Sequence, residues 1–161
     1  MSTSLSIRNP GLRTLPPGVE RYYVKGGGLS VIEISPEDKL EIVNNEGKQP
    51  CEVIVFNSKG KSDLSILNLK ENSDANFSKK TISFDEKISK LFKRKNLDLD
   101  KAKSSIIFDE DCLMGEKITL ESKDNCIVMI AAPGSHMNVH EQNPPTDLTI
   151  FLSKSKFKEA E

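Results

Sequence analysis

Short runs of β-branched and apolar residues, separated by turn chemistry, dominate both ends of the chain. Arg21-Tyr22-Tyr23-Val24 precedes Gly26-Gly27-Gly28, and Leu29-Ser30-Val31-Ile32-Glu33-Ile34 follows with the composition of a strand. Ser35-Pro36-Glu37-Asp38 predicts a turn, because proline presets the backbone angle of the second turn position and the carboxylates solvate it. Leu40-Glu41-Ile42-Val43 alternates as a half-buried strand, Asn44-Asn45-Glu46-Gly47 turns again, and Cys51-Glu52-Val53-Ile54-Val55-Phe56 is the next strand. Asn57-Ser58-Lys59-Gly60 closes this meander. The last third repeats the pattern in Ser105–Phe108, Lys117–Glu121, Cys126–Ala131 and Asp147–Leu152.

The middle of the chain differs. Residues 68–80 are polar and loop-like. Ser83-Phe84-Asp85-Glu86 matches a capping box, and Ile88, Leu91 and Phe92 follow at helical spacing. Lys90, Lys93, Arg94 and Lys95 suit a helix C-terminus, so one helix is predicted over about 84–95, with a weak helical turn near Leu99 to Lys103. The stretch Glu37–Ile42 also echoes Gly115–Leu120, and each is followed by a strand led by a cysteine, Cys51 or Cys126. Read as two hairpins, these suggest pseudo-symmetric halves. The predicted fold is mainly β: a sandwich or barrel of about eight to ten short strands with one inserted helix. An N-terminal arm (1–17), a β domain (18–153) and a charged tail or linker (154–161) divide the chain.

Composition adds exclusions. The 161 residues carry 23 basic against 24 acidic side chains, a net charge of −1, which argues against nucleic acid as partner. No apolar run approaches the length of a membrane helix, and the polar N-terminus lacks a signal-peptide core. Three cysteines without framework spacing suit a reducing compartment, hence a cytoplasmic location.

The densest polar constellation runs from Ala132 to Pro145 and holds both histidines, His136 and His140, with Glu141 beside the second. His-x3-His chelates on a helix, where residues four apart share a face, but Pro133-Gly134 and Pro144-Pro145 make a loop here. A zinc site would need further ligands from Cys51, Cys126, Glu141 or Asp147; the competing reading is a polar surface loop between two core strands. Cys51 and Cys126 open apolar strands and read as small hydrophobes. Cys112 lies among Asp109, Glu110 and Asp111, which raise a thiol pKa and make it a poor nucleophile. No Gly-x-Ser-x-Gly elbow is present, and Gly26-Gly27-Gly28 lacks the lysine of a phosphate loop. No catalytic residue is assigned.

The stretch from Gly26 to Gln49, with its strand, Ser35-Pro36-Glu37-Asp38 turn, second strand and Glu46-Gly47-Lys48-Gln49 turn, resembles the urea carboxylase-associated domain family. Ala132-Pro133-Gly134 and Pro144-Pro145-Thr146-Asp147-Leu148 are similar to the close of such a domain. Similar domains form N-terminal extensions of glycine cleavage T-protein-like aminomethyltransferases, including proteins of the trimethylamine-oxide demethylase type. The resemblance implies a β-rich module that in some members holds zinc, with tetrahydrofolate bound only in a downstream T-protein-like domain or partner. Where metal-binding members place cysteines in the Pro-Gly segment, this chain has Ser135 and His136, and Pro50-Cys51 departs from the small-residue-and-acid pattern after the glutamine. The metal candidates read from the residues themselves, not carried over from the family, are Cys126, His136, His140 and Glu141. Tyr22, Tyr23, Glu33 and Asp147 are the candidates to contact an amine or amine oxide, since aromatic faces and carboxylates suit a quaternary-like nitrogen. The implied function is an accessory or substrate-side module, not catalytic alone, within a folate-dependent demethylase system and packed on a protein partner or fused domain. The alternatives are a non-catalytic interaction module, or a small metal-dependent enzyme using the His136/His140 loop.

Overall fold

A computed structural model describes residues 17–108, 111–133 and 146–155. Eight strands are present among them: β1 (Val19–Val24), β2 (Leu29–Ile34), β3 (Lys39–Asn44), β4 (Cys51–Phe56), β5 (Ser105–Ile107), β6 (Lys117–Glu121), β7 (Cys126–Ala131) and β8 (Leu148–Ser153). They form two four-stranded sheets, β1-β8-β3-β6 and β2-β7-β4-β5. The fold is the mainly β sandwich read from the alternating pattern, without barrel closure.

The pairing is not that of a meander. β1 pairs with β8, β2 with β7, β3 with β6 and β4 with β5, all antiparallel, so the chain is one long hairpin rolled into two sheets. Two further ladders, β3·β8 and β4·β7, complete the sheets. This is jelly-roll topology. It also corrects the echo between the two halves: β3–β4 and β6–β7 are not hairpins, because each pair crosses from one sheet to the other. The two similar segments lie side by side instead, β3 against β6 and β4 against β7.

Between the sheets lies an apolar core that includes Val24, Ile32, Leu40, Ile42, Val53, Val128, Ile150 and Leu152. The alternate residues of β4 and β7 face outward, where Ile54, Phe56 and Met129 form a second cluster with Ala75, Ile82, Phe92 and Ala102. β4 is thus buried on both faces, which is why its six residues read as one apolar run.

Two helices cover that outer face, not one. α2 (Glu86–Lys95) is the expected helix; its N-cap is Asp85, whose carboxylate accepts from the Ile88 amide at 3.2 Å, while Ser83 Oγ donates back to the Lys80 carbonyl. Phe92 meets Phe56 edge to face, centroids 5.5 Å apart. α1 (Asn76–Ser83) lies where a loop was expected. Its N-cap, Ala75, has a left-handed φ of 60° and no side-chain cap. The cap comes from the sheet instead: buried Glu52 of β4 accepts from the Ser78 amide at 3.1 Å and from Ser78 Oγ at 2.5 Å. A carboxylate at a helix N-terminus meets both the orphan amides and the positive end of the dipole. The segment near Leu99 to Lys103 forms a turn, with the Ala102 amide donating to the Leu99 carbonyl, and not a helix.

Candidate functional site

Among the described residues the strand connections gather at two ends of the sandwich, apart from the helical stretch between β4 and β5, which covers the outer face. Residues 25–28, 45–50 and 111–116, together with Ala132-Pro133 and Thr146-Asp147, gather at what we call the upper end. Residues 35–38, 57–60 and 122–125 lie at the lower end.

The upper end is organised by two buried amides. Asn44 ends β3 pointing into the core in line with Leu40 and Ile42, and its Nδ2 donates to the Gln49 carbonyl at 2.8 Å and to Cys112 Sγ at 3.3 Å. Gln49 then reaches across the end of the sandwich. Its Nε2 donates to the carbonyls of Pro50 at 2.8 Å and Pro133 at 2.7 Å, and its Oε1 accepts from the Thr146 amide at 2.8 Å. One side chain therefore holds both the point where the chain leaves β7 and the point where it returns to β8. Thr149 Oγ1 donates to Asn45 Oδ1 at 2.9 Å, and Asp147 accepts from the Gly26 amide at 2.8 Å. Two buried polar atoms in this cluster, Asn44 Oδ1 and Thr146 Oγ1, have no hydrogen-bond partner among the described residues.

Gly47 allows this arrangement. Its φ is +78°, and a Cβ there would sit 2.7 Å from the Cys112 carbonyl oxygen and 2.8 Å from the Met114 nitrogen. Lys48 next to it donates its amide to the Cys112 carbonyl at 2.9 Å. The Glu46-Gly47-Lys48-Gln49 turn thus combines a residue without a side chain, where backbones touch, with a long amide that spans the gap. The motif was visible in the sequence; the role of Gln49 was not, because the groups it binds lie 84 and 97 positions away.

The candidate residues are dispersed. Tyr22 lies half-buried on β1, packed on the core, and donates its hydroxyl to Glu20 at 2.6 Å; that bond, with burial and the glutamate charge, pushes its pKa up to about 12. Tyr23 faces out, 58% exposed, with the Arg21 guanidinium 5.4 Å from its ring centroid. Asp147 belongs to the upper end. Glu33 belongs to the lower, where it pairs with Lys95 at 2.8 Å. Four residue steps of β2 alone separate Leu29 from Glu33, roughly 13 Å of extended chain. The four candidates do not converge.

Cys126 opens β7 at the lower end, five steps or roughly 17 Å of strand from Ala131. Burial pushes its thiol pKa up, partly offset by its contact with Ser122. His136, His140 and Glu141 lie outside the described residues. Among the described residues no three His, Cys, Asp or Glu side chains come together to hold a metal ion. Cys51 and Cys112 are buried thiols whose pKa values are raised chiefly by burial, that of Cys112 to about 11. They are inert chemistry. At the lower end, Glu33, Ser35, Asn57, Ser58, Lys95 and Asn125 line an open cleft of about 380 Å³. The Asp38 carboxylate, expected in solvent, is instead buried there, accepting from the Ser35 amide at 2.9 Å and the Ser155 amide at 3.0 Å.

Fold and site together define a jelly-roll module with one end drawn tight by buried amides. No family model matches the chain. Over 159 residues, 96% of this chain and 20% of the other, it is 30% identical to the trimethylamine-oxide aldolase of Ruegeria pomeroyi. The chain therefore spans about a fifth of the length of that curated relative and is related to one domain-sized part of it. No helix among the described residues is long and apolar enough to cross a membrane.

Proposed function

We propose that this chain is a non-catalytic β module of a trimethylamine-oxide aldolase-type protein, and that its upper end faces the part of that protein where the chemistry occurs. The observation that carries the reading is the 30% identity running through 96% of the chain but only a fifth of the aldolase. The resemblance to the urea carboxylase-associated domain supports the same assignment. It implies tetrahydrofolate in the remainder of such a protein, and the distance of Cys126 from the upper end leaves His136, His140 and Glu141 as the zinc candidates.

The test is a chimaera in which this chain replaces the matching segment of the Ruegeria pomeroyi aldolase. Loss of one methyl carbon of trimethylamine oxide as an aldehyde yields formaldehyde and dimethylamine, so formaldehyde release reads the activity. The chimaera is expected to release it and the isolated chain not to. Turnover by the isolated chain, or an inactive chimaera with the parent's circular dichroism and oligomeric size, would overturn the reading.

A further inference from the structure

The turn that leads into β6 presents two adjacent large apolar side chains to solvent, Leu113 at 72% and Met114 at 78% exposure. This is not a loose loop tip. The Asn44 amide donates to the Glu116 carbonyl at 2.8 Å, the Gly115 amide to the Asn44 carbonyl at 2.8 Å, and the Glu116 amide to the Leu113 carbonyl at 3.1 Å. The Glu116 carboxylate accepts from the Leu113 amide at 3.1 Å, and Cys112 is buried against Asn44. The Gly47 backbone packs directly on Cys112, Leu113 and Met114. Nearby, Lys48 and Phe108 both adopt positive φ, 58° and 67°, conformations that side-chain-bearing residues hold only when their surroundings enforce them. The ordering of an apolar tip is thus complete before any partner arrives, which lowers the entropic cost of docking it.

Other exposed apolar residues differ. Phe84 stands alone between the helices, Tyr23 lies beneath Arg21, and the backbone of Ile106 is bonded in both directions by the Asn72 side chain. Adjacent exposed apolar residues on a rigid turn mark an interaction site more strongly than scattered ones.

We propose that Leu113 and Met114 are the anchor by which the upper end docks into an apolar socket on the remainder of the aldolase-type protein. The occupant follows from the comparison: four-fifths of the relative's length lies outside the matched segment, and the proposal rests on the functional reading above. Met114→Cys in the isolated chain should be alkylated rapidly by a maleimide, because the native Cys51, Cys112 and Cys126 are buried. In the chimaera, peptide mapping should show alkylation at position 114 slowed at least tenfold, while Phe84→Cys reacts equally fast in both settings. Equal rates at position 114 would overturn the anchor even if the chimaera is active, leaving the functional reading intact. A protected position 84 with an unprotected 114 would place the interface on the helical face instead. A chimaera that folds as the parent does but lacks activity removes the functional reading and this surface together.

Discussion

The two ends of the sandwich are built from the same kind of connection yet behave differently. At the upper end, neutral amides inside the protein tie distant segments to one another: Asn44 and Gln49 reach the β3–β4 turn, Cys112, Pro133 and Thr146. The lower end opens into a cleft crossed by the Glu33–Lys95 ion pair, whose side chains remain 67% and 42% exposed. Buried hydrogen bonds stabilise modestly when made but are costly to leave unmade, whereas an exposed ion pair gives little either way. The upper end is therefore closed by buried neutral amides, whereas the lower end sets one buried carboxylate, Asp38, beside an open cleft.

The sharpest way to break this contrast is Gly47→Ala. The alanine would combine a left-handed φ with overlap against backbone that cannot move aside. Strain of ~1–2 kcal/mol and overpacking of ~1–3 kcal/mol give a loss of about 3 kcal/mol. Thermal unfolding should show it as a fall in Tm on the order of 10 °C. A change under 1 °C would mean that the upper end yields easily.

Gln49→Leu keeps most of the volume but strands the Thr146 amide and the Pro133 carbonyl. A loss of about 2 kcal/mol is expected in urea unfolding, with faster proteolysis between Pro133 and Thr146 in the native protein. Wild-type proteolysis rates would show that Gln49 does not hold this segment.

At the lower end, Glu33→Ala should cost about 0.5 kcal/mol in low salt and nothing measurable in 0.5 M salt, where exposed charges are screened. A loss comparable to that of Gln49→Leu would erase the distinction between the ends.

The finest probe is pH. Cys112 has its pKa raised from 9.0 to about 11, so folding favours the neutral thiol. That contribution is complete below pH 9 and is lost as pH rises through about 11. The stability difference between wild type and Cys112→Ser should be flat from pH 6 to 9 and then shift against the wild type. A difference unchanged up to pH 11 would mean that the thiol is not shielded at this end.

These tests fall on residues of unequal legibility. Gly47 stands out from its turn in the sequence, and Cys112 reads as a poor nucleophile from its acidic neighbours, whereas the main cause in the fold is burial. Within the Glu46-Gly47-Lys48-Gln49 motif the sequence gives Gln49 no role, and Asn44 reads as an ordinary turn residue. Glu33 and Asp147 were grouped by chemical type, and the fold puts them at opposite ends.

What the amino-acid sequence determined by itself is the local conformation. Alternation with a period of two, β-branched runs and Pro or Gly punctuation set the eight strands, and Ile88, Leu91 and Phe92 set α2, because these signals act between residues a few positions apart. Only the tertiary structure decided the partners. Alternation says that a strand has a buried face but not which strand lies beside it, so a meander and a rolled hairpin read alike until β1 meets β8 and β3 meets β6. The same holds for α1, a polar segment without a local cap that becomes a helix because Glu52 reaches it from β4. It holds as well for the upper end, where Gln49 has its meaning only once Pro133 and Thr146 are brought within hydrogen-bonding distance.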